Sequence, residues 1–527
     1  MKTRKLFKRL LYVLVLLWVS VTSFTVQKSN VTDDSSIDTL LSVPSKTIIN
    51  IGSRRELFVD DFLIAKRKEL ELRLHLPTPK GIVMVYDKPW EGTGSGFEVV
   101  FRDGDLYRMY YTAYQLTNSE GTKIGGHFTS ACYAESKDGI NWVKPNLGLI
   151  EFNGSKQNNI IWTMPNYDNF TPFKDPNPNV KPSEIYKAVA LGDGGLFALK
   201  STDGINWSYL SDKPIITKGK FDTQNNAFWD PVRKQYWCYI RDFHDNNGVS
   251  TNDLKTGIRD ILVATSTDFI NWTEPQRIEF VDSPDIPLYT NQVVPYNRAP
   301  HLFLGFPTQY VDRKFSKAAM KALPDSEHRQ QRMKFSPRYG TVITDGLFMT
   351  SYDGYTFNRW DEPFIPIGPE RKDNWVYGDG YQSLGLLETP AEDITAAPEL
   401  SFYAGENHWK ESKRLRRYTI RMDGFVSLHG GETPGEFITK TIIYSGKALT
   451  LNFSTSVAGS ILVELQDDNG KPLPGFSLSE CDELFGNTID RTVTWNDKSD
   501  VSSFLGKPIR IRIKLKHADL YSLKFRE

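Results

Sequence analysis

Short apolar and aromatic runs, bounded by Gly, Asp, Asn and Pro, recur along the chain from about residue 52 onward. Four of these runs are DLYRMYYTAY, KQYWCYIRDF, HLFLGFPTQY and LSFYAG, and each is followed by a further run such as ACYAES or ILVATS. Aromatic and β-branched residues in runs of this length favour strands, and a helical period is almost absent. The pattern predicts an all-β protein.

A seven-residue turn motif separates the strands. Its copies are SKDGINW from Ser136, STDGINW from Ser201, STDFINW from Ser266 and SYDGYTF from Ser351, with a weaker RMDGFVSL from Arg421. We expect the Ser and Asp side chains to bond nearby backbone amides and the aromatic residue to pack between neighbouring units. The motif is thus expected to be structural and not catalytic.

Four strands per motif, repeated five times, predict a five-bladed β-propeller. The last strands of the blades are expected to begin near Trp142, Trp207, Trp272, Phe357 and Phe425. The early run RELFVDDFLI, residues 55–64, belongs to no blade. We expect it to close the ring by completing the final blade.

The two ends of the chain differ from the propeller. Past residue 430, the alternating run IRIRIKLK and an Asn469-Gly470 turn predict a C-terminal β-sandwich. At the other end, five Lys and Arg among the first nine residues precede an apolar run that ends near Phe24, which is typical of an export signal. The predicted organisation is a signal peptide over 1–25, a tether over 26–51, a propeller over 52–430 and a β-sandwich over 431–527. The expected location is secreted or periplasmic, without a stable membrane span after cleavage.

Composition excludes some partners. The chain carries 64 Lys and Arg against 64 Asp and Glu, so it lacks the overall positive field with which proteins attract nucleic acids. Three cysteines are too few for a disulfide framework, and the eight histidines show no metal-ligand spacing. No metal or other cofactor is expected. Asp60 and Asp61 are a candidate calcium pair, although acids at a strand edge are more often solvated or capped.

Several longer motifs resemble a known group of proteins. The turn repeats, ELFVDDFLI, GSGFEVVFRDGDLYRMYY, NNAFWDP and DGFVSLHGGE are similar to five-bladed propeller glycosidases of glycoside hydrolase families 32 and 43, and most closely to secreted bacterial family-32-like proteins. The resemblance implies a propeller with a trailing β-sandwich and carboxylate chemistry in the central funnel. The three acids of the family are not in place, because Ser95, Thr223-Gln224-Asn225 and Tyr289-Thr290-Asn291 occupy the corresponding positions.

Propeller geometry supplies candidates independently of the family. The innermost strand of each blade starts at the face to which the second strand returns, so residues at those strand ends rim the funnel. Glycosidic cleavage needs a protonated carboxyl group and an ionised carboxylate about 5 to 9.5 Å apart. The candidate catalytic residues are Asp222, Asp242, Glu98 and Asp379. The candidate substrate-binding residues are Gln224, Asn225, Arg241, Asn291, Gln292, Glu406 and His408.

The fourth blade contains an insertion over residues 311–340, with eight Lys and Arg against three Asp and Glu. If it covers the funnel mouth, Lys314, Lys317, Lys321 and Arg329 would attract an acidic or sulfated glycan. The alternative is a solvated insertion with a short helix.

The sequence therefore predicts an exported glycoside hydrolase that acts on a polysaccharide or oligosaccharide. One alternative is a non-catalytic glycan-binding propeller, in which amides and aromatic side chains alone line the funnel. Another is a polysaccharide lyase, in which a His, Tyr and Arg cluster would take the place of two facing carboxylates.

Overall fold

The computed structural model describes residues 48–164, 169–251, 257–314 and 316–527. The predicted signal peptide and most of the predicted tether lie outside the described residues, and a strand over Ile49–Gly52 occupies the end of the tether range. Among the helices in the described residues, none is long and apolar enough to cross a membrane.

Five strands precede the first blade. They are β1 (Ile49–Gly52), β2 (Arg55–Leu57), β3 (Ile64–Lys68), β4 (Leu70–Leu74) and β5 (Thr78–Val85).

Five sheets then follow one another along the chain. Blade 1 contains β6 (Gly96–Asp103), β7 (Leu106–Ala113), β8 (Thr129–Ser136) and β9 (Ile160–Met164). Blade 2 contains β10 (Phe170–Lys174), β11 (Tyr186–Gly192), β12 (Gly195–Ser201) and β13 (Ser208–Tyr209). Blade 3 contains β14 (Asn226–Asp230), β15 (Gln235–His244), β16 (Ile258–Ser266) and β17 (Gln276–Arg277).

Blade 4 is the largest. It contains β18 (Glu279–Val281), β19 (Val294–Tyr296), β20 (Ala299–Gly305), β21 (Thr308–Asp312), β22 (Val342–Ser351) and β23 (Thr356–Ile365). Between β21 and β22 lie the helices α1 (Lys317–Ala322), α2 (Ser326–Met333) and α3 (Arg338–Thr341), and short 3-10 turns occur at Pro182–Glu184 and Ser502–Phe504. Blade 5 contains β24 (Leu387–Thr389), β25 (Glu399–Glu406), β26 (Arg414–Arg421) and the early strand β5. The predicted five-bladed propeller is confirmed.

The repeated turn motif has the predicted structural role. In its second copy, the Ser201 hydroxyl accepts a hydrogen bond from the Gly204 amide at 2.8 Å, and Asp203 Oδ1 accepts from the amides of Ile205 and Asn206 at 2.8 Å each. Burial opposes the charge of Asp203, but these hydrogen bonds outweigh it and lower the pKa of the carboxyl group to about 2. The copies that begin at Ser136, Ser266 and Ser351 repeat the pattern. Trp207 packs edge-on against Phe170 of its own blade and Tyr110 of blade 1, so the aromatic position joins blades.

The prediction that residues 55–64 complete the final blade is wrong. Residues 55–57 pair with the C-terminal strand, and Thr78–Val85 instead pairs antiparallel with β26 to complete blade 5. The sequence did not reveal β5 because it is an outermost strand. Most of its side chains are exposed, so its sequence has little hydrophobic pattern. The run near residue 57 has the stronger apolar signal because Leu57, Phe58 and Val59 are buried between the last blades and the C-terminal sheet.

The starts of the outermost strands are confirmed in two blades. β13 begins directly after Trp207, and β23 begins one residue before Phe357. In blades 1 and 3 the motif is followed only by isolated bridges at Val143 and Trp272, and the paired strands β9 and β17 come later. The residues after Phe425 do not complete blade 5 at all, because they pair with β4 and the C-terminal strand.

Ten strands outside the blades form one hydrogen-bonded set. Its members are β1 to β4, β27 (Val426–Gly430), β28 (Gly435–Thr439), β29 (Ile442–Tyr444), β30 (Ala448–Asp467), β31 (Asn487–Thr492) and β32 (Ile509–Arg526). The long strands β30 and β32 pair along most of their length around a single apolar core. The early strands 49–74 therefore belong to this set together with the C-terminal residues, and the predicted sandwich stays a prediction.

Both carboxylates of the candidate calcium pair bond to other groups of the protein. Asp60 accepts hydrogen bonds from the Phe62 amide at 2.8 Å and from Asn358 Nδ2 at 2.9 Å, while Asp61 lies 3.1 Å from Arg67 Nε. These carboxylates are capped, as the alternative interpretation of the pair expects. The cysteines at positions 132, 238 and 481 are free thiols.

Candidate active site

A cavity of about 120 Å³ lies at one end of the propeller channel. Its wall contains residues that precede innermost strands, such as Ser95, Asp222 and Tyr381, and residues that follow second strands, such as Tyr114 and His408. The prediction that these two kinds of segment rim the funnel is confirmed. We call this space the funnel cavity.

Aromatic side chains form much of the wall. They are Phe97, Tyr114, Tyr289, Tyr339, Tyr377, Tyr381 and Trp409. Tyr289 and Tyr381 stack with ring centroids 5.4 Å apart, and Tyr377 meets Tyr289 edge-on at 5.8 Å. Flat apolar rings of this kind are suited to pack against the face of a sugar.

Asp222 projects into the funnel cavity from the segment before β14. It forms an ion pair with the guanidinium group of Arg241, whose side chain is 2% exposed, while the Asp222 side chain is 62% exposed. The guanidinium carbon lies 4.8 Å from the centre of the Tyr289 ring, which fixes its orientation. Burial lowers the pKa of Arg241, and an opposite charge beside a carboxylate favours the ionised form of that carboxylate.

Glu98 also lines the funnel cavity, near the start of β6. The pairing between β6 and β7 shifts register between Gly96 and Val99, and this irregularity directs Glu98 inward. Burial raises the pKa of Glu98, and the charge of Lys413 offsets this only in part. The Tyr86 hydroxyl donates a hydrogen bond to its carboxyl group.

Asp379 and His408 form a second buried acid and base beside the funnel cavity. Asp379 Oδ1 accepts a hydrogen bond from the His408 backbone amide at 3.0 Å, and Oδ2 has no partner among the described residues. Burial raises the pKa of Asp379 to about 7 and lowers the pKa of His408 well below its usual value. Gly378 is required here, because its φ is +101° and a Cβ would lie 2.3 Å from His408 Cδ2.

Two other candidate acids bond to protein groups outside the wall of the funnel cavity. Asp242 is buried and accepts a hydrogen bond from the Ser250 hydroxyl at 2.7 Å, and it is not among the residues that line the funnel cavity. Glu406 lies 2.9 Å from Arg414 Nε and 2.6 Å from Arg416 Nε. Burial opposes its charge, but the arginines outweigh this effect and lower the pKa of Glu406. It is therefore an ion-pair centre at the edge of blade 5.

The predicted amide ligands bond mainly to the protein itself. Gln224 Nε2 donates to the Phe97 carbonyl at 2.9 Å, and Gln292 Nε2 donates to the Gln382 carbonyl at 2.8 Å. Asn225 donates to backbone carbonyls of its own segment at 2.9 Å, and the Asn291 amide reaches the Tyr239 carbonyl at 3.4 Å. All four side chains are buried. Gln224 and Gln292 thereby join innermost segments of different blades. The role of all four residues in binding a substrate stays a prediction.

The basic insertion does reach the funnel mouth, but through different residues from those predicted. Arg338 and Tyr339, from α3, line the funnel cavity. Arg329 is fully buried and donates hydrogen bonds to backbone carbonyls, including that of Trp375 at 2.9 Å, so its assignment as a rim cation is wrong. The predicted lysines at 314, 317 and 321 are exposed and do not appear in the cavity wall.

Sequence reasoning missed Lys413 and Arg338. Lys413 is almost fully buried, and its charge acts on Glu98, Asp379 and Glu406. Its position at the start of a third strand was a usable signal, but it stands in the basic run KESKRLRRY, which resembles a solvated surface. Arg338 stands among the other basic residues of the insertion, and the sequence alone does not distinguish it from them.

Comparisons with known proteins find similar solved structures but no similar sequence. No family model and no curated protein matches the sequence. Similar solved structures include a glycoside hydrolase at 12% identity and TM-score 0.41, covering 67% of this chain and 93% of that one. An N-acetylgalactosamine deacetylase from F. plautii, in complex with blood group B trisaccharide, has 13% identity and TM-score 0.40, with coverages of 66% and 94%. A fructofuranosidase from Schwanniomyces occidentalis has 12% identity and TM-score 0.37, with coverages of 84% and 96%.

Proposed function

We propose that this protein is an exported glycoside hydrolase that cleaves its substrate in the funnel cavity. The observation that carries the proposal is the pairing, in one aromatic cavity, of an Arg-bound carboxylate with a buried carboxyl group whose pKa is raised. Glycosidic cleavage requires these two states of a carboxyl group together.

The proposal that the protein is exported rests on its basic and apolar N-terminal sequence. N-terminal sequencing of the secreted protein tests this part.

Asp222 and Glu98 take different roles in this mechanism. Asp222, held ionised by Arg241, attacks the anomeric carbon or activates a water molecule. Glu98 keeps its proton at a higher pH than an exposed Glu and donates it to the leaving oxygen. Lys413 is a positioning residue, because its charge limits how far the pKa of Glu98 rises.

Glu98→Gln is expected to lower kcat on natural glycans by about 10² to 10⁴-fold, since the variant has no proton to donate. Aryl glycosides with an acidic phenol leaving group need no such proton, so the variant should cleave them at nearly the wild-type rate. In wild type, kcat/KM should fall as pH rises through the pKa of Glu98, and this alkaline limb should disappear in the variant. Initial rates across pH on both substrate types measure these effects.

Asp379→Asn is the comparison that can overturn this assignment. If Asp379→Asn, and not Glu98→Gln, spares aryl glycosides and removes the alkaline limb, then Asp379 is the acid. If neither variant distinguishes the leaving groups, the proposed acid catalysis is wrong.

We further propose that the substrate is acidic or sulfated. The cations that line the funnel cavity are Arg338 and Lys413. A third cation, Arg241, forms the ion pair with Asp222. These three cations outnumber the two acids of the wall, Asp222 and Glu98. An anionic sugar would therefore bind with a charge-assisted hydrogen bond to Arg338.

Arg338→Gln is expected to weaken binding of acidic glycans by about 10 to 100-fold, which corresponds to one hydrogen bond to a charged group. Neutral glycans should be scarcely affected. Lys317→Gln is the matched control, because Lys317 belongs to the same insertion but is exposed on α1. Calorimetric titration with matched acidic and neutral oligosaccharides measures the difference. Equal losses for both ligands would show that Arg338 shapes the cavity and does not select charge.

A polysaccharide lyase is the second candidate, and one observation favours it. His408, Tyr381 and Arg338 all line the funnel cavity, and burial lowers the pKa of His408, which favours its neutral ring. A lyase would leave a carbon–carbon double bond that absorbs ultraviolet light, whereas hydrolysis leaves a reducing end without it. A glycan panel with product analysis separates the two. Tight binding without any product would favour the non-catalytic glycan-binding propeller instead.

A further inference from the structure

Three potential metal ligands meet at the edge of blade 3, outside the funnel cavity. His244 ends β15, Asp260 lies in β16, and Asp285 lies in the segment between β18 and β19. One ligand atom from each lies within 4.8 Å of the others. His244 Nε2 is 3.4 Å from Oδ2 of Asp260 and 3.4 Å from Oδ2 of Asp285.

The tautomer of His244 is fixed by its other ring nitrogen. Nδ1 lies 2.8 Å from the backbone carbonyl oxygen of Asp245, and a carbonyl oxygen only accepts hydrogen bonds. Nδ1 therefore carries the proton, and in the neutral ring Nε2 offers its lone pair. A metal-binding histidine commonly has this arrangement, with the second nitrogen bonded to a carbonyl or carboxylate group.

Nε2 of His244 has no hydrogen-bond partner among the described residues, and the side chain is only 3% exposed. A buried polar atom of this kind is costly unless something binds it. It points at two carboxylates, which can offer it no proton when they are ionised. With the ring neutral, the site presents three electron-pair donors to one another.

Arg277 contacts the three candidate ligands through Asp260. Its Nε lies 2.7 Å from Asp260 Oδ2, and its Nη1 donates to the Gly248 carbonyl at 2.9 Å. Asp260 Oδ1 accepts from the Ile261 amide at 2.7 Å. A carboxylate has about four lone-pair positions, so Oδ2 of Asp260 keeps one for a further ligand. One guanidinium charge does not neutralise two carboxylates.

We propose that His244, Asp260 and Asp285 bind a divalent transition-metal ion such as Zn²⁺. Ligand atoms about 2.1 Å from a tetrahedral ion lie roughly 3.4 Å apart, which matches the spacing of Nε2 from both carboxylate oxygens. One imidazole and two carboxylates are a suitable donor set for this class of ion. A water molecule would complete the four ligands.

The ion would tie the link between blades 3 and 4 to blade 3. Asp285 is 56% exposed, and four residues later the same segment supplies Tyr289 to the funnel cavity. Binding would hold this segment in place independently of whether the protein hydrolyses glycans. The ligands come from three separate elements of the fold, so their spacing along the chain shows no metal motif.

Thermal unfolding of chelator-treated protein, with Zn²⁺ added, tests the proposal. We expect Tm to rise by about 3 °C or more at concentrations well above Kd, and Co²⁺ to give the visible absorption of a tetrahedral site. His244→Gln and Asp285→Asn should each weaken Zn²⁺ binding at least tenfold. Asp285→Asn is the safer variant for folding, because this side chain is more than half exposed.

His517→Gln is the matched control, because His517 is a partly exposed histidine that lies 2.7 Å from one carboxylate, Glu432. It should bind Zn²⁺ as the wild type does. No shift in Tm with Zn²⁺, or undiminished binding in both His244→Gln and Asp285→Asn, would overturn the proposal. A response to Ca²⁺ but not to Zn²⁺ would also overturn it.

Discussion

Asp222→Asn should lower kcat by about 10³-fold or more, while Tm falls by no more than a few degrees. The loss follows because the variant has no charge with which to attack the anomeric carbon or activate water. Stability should change little, because the side chain is 62% exposed and the Asn oxygen still accepts a hydrogen bond from Arg241. Steady-state kinetics and thermal unfolding on the same preparation measure both quantities.

Two further measurements make this result specific. A small anion such as azide, added to Asp222→Asn, should restore part of the activity by entering the space that the carboxylate leaves. Glu274→Gln is the control, since Glu274 is an exposed acid paired with Lys218 at 2.8 Å and lies outside the cavity wall. Wild-type kcat in Asp222→Asn, or a loss that only follows the folded fraction, would refute the assigned role.

Asp423→Ala should have the largest effect on stability, lowering the free energy of unfolding by about 3 to 5 kcal/mol. Asp423 is fully buried and accepts hydrogen bonds from Tyr296 at 2.7 Å, Arg298 at 2.7 Å and Ser522 at 2.8 Å. Arg55 lies 3.2 Å away. These partners belong to blade 4, to the early strand β2 and to β32, so removal of one carboxylate takes the counter-ion from the buried Arg55 and the part-buried Arg298. Urea denaturation followed by tryptophan fluorescence measures the change.

The effect should depend on pH. Burial opposes the charge of Asp423, but the hydrogen bond from Arg298 and the charge of Arg55 outweigh it and lower the pKa of the carboxyl group. Its contribution is therefore complete above the unfolded pKa, near 4, and is lost as pH falls through the lower folded pKa. The difference between wild type and variant should shrink below pH 4.

Glu436→Gln provides the matched control for Asp423→Ala. Glu436 pairs with Arg512 at 2.5 Å, but both side chains are about a third exposed. Its loss should cost less than about 1 kcal/mol at any pH. An equal cost for the two substitutions would mean that Asp423 is not the centre of a buried network.

The sequence by itself determined the blades. Each turn of this repeat closes within a few residues, as the hydrogen bond from the Gly204 amide to the Ser201 hydroxyl shows, so its structure follows from local chemistry. Strand ends follow from the same repeat, which is why Asp222, Glu98 and His408 could be placed at the funnel mouth.

The tertiary structure alone decided which partners meet across long separations. Pairing of β5 with β26 depends on which sheet edge is free, and an exposed outer strand has little hydrophobic pattern to reveal this. Packing between elements far apart in the chain decided three further features. It buries Arg329, brings Arg338 into the cavity wall and places the charge of Lys413 near Glu98.

The weak fifth turn is the clearest case. Its aspartate, Asp423, resembles the turn residues in sequence, yet burial against Arg298 and Arg55 makes it an ion-pair centre, because desolvation and charge depend on neighbours that local sequence does not specify.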